Sequence, residues 1–182
     1  MTLGRVAAGL GLPVFPCNEV KRPIVKAWPA AATRDGQAIE RMFEGASMIG
    51  VPTGPASGLV VVDVDVKDGA KGDDWLQDHA GALPITRTHR TRSGGLHLVF
   101  RAPDGILIRN SASRVAPGVD VRGDGGYVIW PPSPGYAVAD DTTPAEMPEW
   151  LIAACLKPEP ATVHHEPAPA AARRSDGGSP YG

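Results

Sequence analysis

The run Leu59-Val60-Val61-Val62-Asp63-Val64-Asp65-Val66 constrains this chain more than any other segment. β-Branched residues dominate it and Gly58 and Gly69 bound it, which predicts a strand; its apolar first half predicts a central strand covered on both faces. Asp63 and Asp65 are two apart, so in extended backbone they share a face, with Cα atoms roughly 6.5 Å apart. Two carboxylates beside valines repel each other and lose solvation, and a bound hard cation such as Mg²⁺ or Mn²⁺ removes that difficulty. The plain alternative is that the Asp pair marks a strand leaving the core for solvent.

The rest of the chain organises around that strand. Met1 to Leu12 predicts a short helix, Pro13 to Cys17 an extended segment, and Asp35 to Phe43 an amphipathic helix. Between the last two lies a basic, proline-marked loop with Lys21, Arg22 and Lys26. Asp73 to His79 predicts a helix capped by Asp73, and Thr86 to Thr91 with Leu96 to Arg101 predict a hairpin through Ser93-Gly94-Gly95. Val119 to Val121 and Tyr127 to Trp130 flank Gly123-Asp124-Gly125-Gly126 as an expected second hairpin, ended by Pro131-Pro132. Trp150 to Leu156 reads as a closing helix. Hairpins outnumber helices long enough for crossover units, so the expected class is α+β on a mostly antiparallel sheet.

One catalytic domain over residues 1–156 is expected, because single cores typically occupy roughly 100 to 200 residues. Hydrophobic residues make up 42% and charged residues 21%, a balance that supports a packed core. From Lys157 to residue 182, Pro, Ala, Gly and charged residues replace core formers, which reads as a disordered tail or linker stump. His164 and His165 in it are assigned no chemistry. The net charge of -2 gives no bulk attraction to a polyanion, so any nucleic-acid contact needs a local basic patch. Cys17 and Cys155 lack zinc-site spacing and disulfide density, and a cytoplasmic location follows. The segment Val6 to Phe15 is too interrupted for an export signal, and no apolar run reaches the roughly 18 residues of a membrane span.

Three further groups carry chemistry. Ser93, Gly94 and Gly95 precede His97, where backbone N–H groups and the imidazole suit phosphate oxygens; a packed structural histidine is the alternative. Arg87, His89, Arg90 and Arg92 lie just upstream, suited to triphosphate or template backbone, or to a solvated strand face. Asp120 supplies a third carboxylate on an apolar strand, with Arg122 on its face; Asp124 reads as a turn residue. Lys21, Arg22, Lys26, Arg87 and Arg90 are candidates for template phosphates, and Trp28, Tyr127 and Trp130 for base stacking.

Taken in order, Gly58 to Asp65, Ser93 to His97, and Val119 to Gly123 through Pro131-Pro132-Ser133 resemble the three motifs of the bifunctional primase/polymerase domain of the archaeo-eukaryotic primase superfamily. Val14-Phe15-Pro16, Lys21-Arg22-Pro23 and Val51-Pro52-Thr53-Gly54 extend the resemblance over roughly Gly11 to Trp150. It implies an RNA-recognition-motif-like catalytic sheet with flanking helices and an N-terminal α/β portion. It also implies nucleotide addition on a single-stranded DNA template from dNTPs or NTPs, and a replicative helicase as partner in plasmid or phage replication. Asp63, Asp65 and Asp120 match the metal ligands, and His97 matches the histidine at the incoming triphosphate, with Ser93, Gly94, Gly95, Arg92 and Arg122 around it. Gly95 departs from the serine that many members carry there. Two rival readings stand beside this one: a non-catalytic nucleotide- or nucleic-acid-binding module of a helicase assembly, and a phosphohydrolase with Asp63 as nucleophile. The second requires alternating strands and helices.

Overall fold

The computed structural model describes residues 1–67, 69 and 71–157. In chain order the elements are α1 (Leu3–Ala8), β1 (Phe15–Cys17), α2 (Trp28–Ala31), α3 (Gly36–Met42), β2 (Met48–Pro52), β3 (Leu59–Val64), α4 (Gly72–His79), β4 (Thr88–Arg90), β5 (Leu96–Arg101), β6 (Ser111–Ala116), β7 (Val119–Arg122), β8 (Tyr127–Trp130), β9 (Ala137–Asp140), β10 (Ala145–Glu146) and α5 (Glu149–Leu156). A seven-stranded sheet runs β6-β7-β3-β5-β4-β9, with β10 beside β5; a three-stranded sheet runs β1-β2-β8. Every pairing is antiparallel except β10 with β5. The protein is α+β, as its sequence predicts.

Alternation along β3 explains the layers. Val60, Val62 and Val64 pack with Leu98, Phe100, Val119 and Val121 against Trp75 of α4 and Leu151 of α5. Leu59 and Val61, on the other face, pack with Val99 against Ile49, Val51, Val128 and Trp130 of the small sheet and Ala7 and Ile39 of α1 and α3. The valine run is therefore buried on both sides, and the residues continuing the second face, beginning with Asp63, emerge where the small sheet ends.

Several local signals behave as the sequence indicates. The Asp35 side chain accepts from Ala38 N–H at 2.7 Å and starts α3. Two expectations are corrected. Lys71, not Asp73, occupies the N-cap of α4, and Asp73 sits in the first turn, where its charge meets the helix dipole. The segments flanking Gly123–Gly126 are not a hairpin: β7 belongs to the large sheet and β8 to the small one. The turn instead transfers the chain between sheets. It is pinned there because Thr53 N–H donates to Gly126 O, Thr53 Oγ1 donates to Gly123 O at 2.6 Å, and Asp124 N–H donates to Ile108 O. After β8, Ser133, buried in the Pro131-Pro132-Ser133 turn, accepts Ile49 N–H of β2 at 2.8 Å.

Among the described residues no helix is long and apolar enough to cross a membrane. The tail expected from Lys157 lies, past Lys157 itself, outside the described residues, as do His164 and His165.

Candidate active site

Antiparallel register sets the centre of the site. Asp63 of β3 pairs directly with His97 of β5 on one side and Asp120 of β7 on the other, and His97 pairs with His89 of β4. Directly paired residues point to the same face. His89, His97, Asp63 and Asp120 thus form one transverse row across four strands, on the face that emerges from under the small sheet.

Charges within the row are tightly interlocked. Arg122 Nη2 lies 2.9 Å from Asp120 Oδ2 and 3.5 Å from Asp63 Oδ2, bridging the two carboxylates. Asp120 Oδ1 also accepts Ser113 N–H at 3.0 Å. His97 Nε2 lies 3.6 Å from Asp63 Oδ1, too long for a hydrogen bond. Burial pushes the Asp63 carboxyl above its usual range and the facing Asp120 charge adds to this, while Arg122 pulls it back. Burial pushes His97 down to about 3, helped by the Arg122 and Lys21 charges, so at neutral pH its ring is neutral. His97 Nδ1 is buried without a hydrogen-bond partner.

Asp63, His97 and Arg122 line a cleft of about 290 Å³ together with Lys21, Asn110, Tyr127 and Tyr136, whereas Asp120 stands beside it, joined through Arg122. Asn110 Oδ1 accepts Gly123 N–H at 2.9 Å and abuts Gly126, and so fixes the sheet-switching turn beside the site. Asn110 and Tyr136 belong to no motif that the sequence alone distinguishes. Tyr136 had one faint signal, an aromatic directly after the Pro131-to-Gly135 turn.

The other residues singled out in the sequence divide by position. Asp65 stands one residue past β3 and does not line the cleft; its N–H donates to Gly118 O and its carbonyl accepts Gly72 N–H. Ser93, Gly94 and Gly95 form the β4–β5 turn and do not line the cleft either. Gly94 (φ 89) donates its N–H to Thr91 O, and a Cβ on Gly95 would lie 2.2 Å from Val64 O. That contact is a packing reason for glycine at position 95. Arg92 is spent elsewhere: its guanidinium donates to Glu19 O at 3.0 Å and Pro134 O at 3.2 Å. Arg87 donates from Nε to His89 Nε2 at 3.0 Å and lies over the Trp130 ring. Because Arg87 donates there, His89 is the tautomer with its proton on Nδ1. Trp130 is buried against His89, Trp28 packs with Phe15 and Tyr127, and Tyr127 alone of the three lines the cleft. Arg22, Lys26 and Arg90 are exposed, and Asp124 sits in the turn, as its setting predicts.

Among the described residues no group of three or more His, Cys, Asp or Glu side chains is placed to hold a metal ion. The donor set nonetheless fits a hard divalent ion, because Asp63 and Asp120 face each other as carboxylates that already require a cation between them, a place Arg122 takes. Mg²⁺ in particular is commonly held by one or two carboxylates plus substrate phosphates, which needs no closed cage.

No curated protein matches the chain. The family model of the bifunctional DNA primase/polymerase N-terminal domain matches residues 4–150, nearly the whole of the folded region just described, and the chain belongs to that family.

Proposed function

We propose that this domain carries out template-directed nucleotidyl transfer on single-stranded DNA, using dNTPs or NTPs with Mg²⁺ or Mn²⁺. The observation that supports it most is the direct cross-strand pairing of Asp63 with Asp120, flanked by a neutral His97 and bridged by Arg122. Asp63 and Asp120 would hold the ions, and Asp65, just past β3 and outside the cleft lining, is the further carboxylate within reach of the same strand face. When bound, the ions lower the pKa of an attacking 3′-hydroxyl and neutralise charge on the phosphates and leaving pyrophosphate.

The chain's own groups then have defined tasks. His97 donates a single N–H to a phosphate oxygen as a neutral ring. Arg122, with five N–H donors, turns those not used by the carboxylates to the triphosphate. Tyr127 and Tyr136 give the cleft the flat walls against which a base can stack. Exposed Arg22, Lys26 and Arg90 serve template phosphates, a contact that weakens with salt. No protein nucleophile is required. The antiparallel neighbours of β3 lack the strand–helix alternation on which an aspartyl-phosphate mechanism depends.

Primer extension and unprimed synthesis on single-stranded template, with Mg²⁺ or Mn²⁺, test the reading. Wild-type protein is expected to incorporate nucleotides, and Asp63→Asn and Asp120→Asn to lose more than about 100-fold in rate. Normal synthesis by either variant would remove the proposed roles.

A further inference from the structure

Three cationic side chains leave the basic loop after β1, and only one turns inward. Arg22 and Lys26 are exposed, whereas Lys21 lines the cleft, its Nζ 5.7 Å from the centroid of the Tyr136 ring. The backbone that achieves this is strained: Lys21 has φ 68, a left-handed conformation that L-residues with a Cβ avoid.

Local and remote contacts hold that conformation in place. Asn18 Oδ1 accepts Val20 N–H at 3.1 Å and Arg22 N–H at 2.9 Å, while Lys21 N–H donates to Asn18 O and Asn18 N–H to Arg22 O. From β8, the Tyr127 hydroxyl donates to Lys21 O at 2.9 Å. Tyr127 is itself wedged between Phe15 and Trp28, with ring centroids 5.2 and 5.0 Å away. Glycine would take this backbone without strain. A lysine held there by so many contacts is the pattern of strain retained for a side chain's position.

The side chain shares one cleft with the reacting row, lining it together with Asp63, His97 and Arg122. With Asp63 and Asp120 engaged by cations, Lys21 and Arg122 would leave the cleft positively charged, suited to a polyanionic tail rather than one bridging phosphodiester. We propose that Lys21 is a triphosphate-binding residue: its ammonium takes the phosphate tail of the incoming nucleoside triphosphate, together with Arg122 and His97, rather than a template phosphate. This assignment rests on the nucleotidyl-transfer reading of the same cleft.

The test uses the full chain in two titrations, one with dGTP and inorganic tripolyphosphate, without and with Mg²⁺, and one with a single-stranded oligonucleotide. Lys21→Ala is expected to weaken dGTP and tripolyphosphate binding about tenfold or more, since a charged hydrogen-bond partner is lost, while oligonucleotide affinity changes less than about twofold. Lys21→Gly is expected to raise Tm by relieving the left-handed strain and yet weaken both ligands to the same degree, a combination that a purely structural lysine does not give. Lys21→Arg should retain most binding, and Tyr127→Phe should weaken it by a smaller factor.

Unchanged tripolyphosphate affinity in Lys21→Ala, or loss of oligonucleotide affinity instead, would overturn the assignment. Wild-type incorporation of nucleotides alongside that result would leave the transfer reading standing. Failure of the wild-type chain to bind any triphosphate would sink both.

Discussion

Asp63 is held between opposing demands. Burial and the Asp120 charge disfavour its ionised form, and Arg122 restores part of it. Removing the charge relieves that conflict, so Asp63→Asn should fold with a Tm equal to or above wild type while nucleotide addition is lost; thermal melts beside primer extension check both halves. Gly95 is constrained differently. A Cβ there meets the Val64 carbonyl of the neighbouring strand, so Gly95→Ser should destabilise by about 1–3 kcal/mol in denaturant titration. His89 supplies a pH signature. Burial first, then the Arg87 and His97 charges, lower it to about 3, so the folded state resists protonation that the unfolded chain accepts near 6.5. Its contribution to stability is therefore complete above pH 6.5 and falls by about 1.4 kcal/mol per pH unit as pH drops towards 3. His89→Leu should show a correspondingly shallower acid limb in pH-dependent unfolding. At this scale the placement of Asp63, Asp120 and His97 on one face was readable, because each stands in an apolar, alternating strand, while Asp65 falls past the strand end. The inward turn of Lys21 was not readable, because only the left-handed backbone separates it from Arg22.

Strands with a strong internal pattern were legible as elements: the valine run and the Leu96–Arg101 segment sit where the sequence placed them. Their partners were less so. The glycine turn at Gly123–Gly126 has hairpin composition, yet Thr53 captures both Gly123 O and Gly126 O and draws β8 to β2. That long-range capture has no local signal. Strand β2 itself was missed as an element, although Val51-Pro52-Thr53-Gly54 stood out. Arg92 shows the same limit, since its neighbours suggested phosphate while its guanidinium ties the Glu19 and Pro134 loops together. Arg92→Ala is accordingly expected to lower Tm by several degrees and leave dGTP affinity within about twofold, as paired melting and binding curves would show.

For the molecule as a whole, a seven-stranded sheet is covered by α4 and α5 on one face and, on the other, by the small sheet with α1 and α3. The small sheet covers only part of its face, and Asp63 and Asp120 stand where that cover ends, with His97 buried beside them. The layer class followed from the balance of hairpins and helices, but the division into two sheets did not, because strand pairing over tens of residues is decided by tertiary contacts. The cleft exists because one layer ends before the other, which places a desolvated edge beside open solvent and makes the charges there strong. In the proposed reaction Asp63 and Asp120 converge on a common cation. Electron paramagnetic resonance titration with Mn²⁺, without and with dGTP, measures this directly. Wild-type protein should bind Mn²⁺ more tightly with the triphosphate present, and both Asp63→Asn and Asp120→Asn should lose that binding; Mn²⁺ affinity unchanged in either variant would contradict the account.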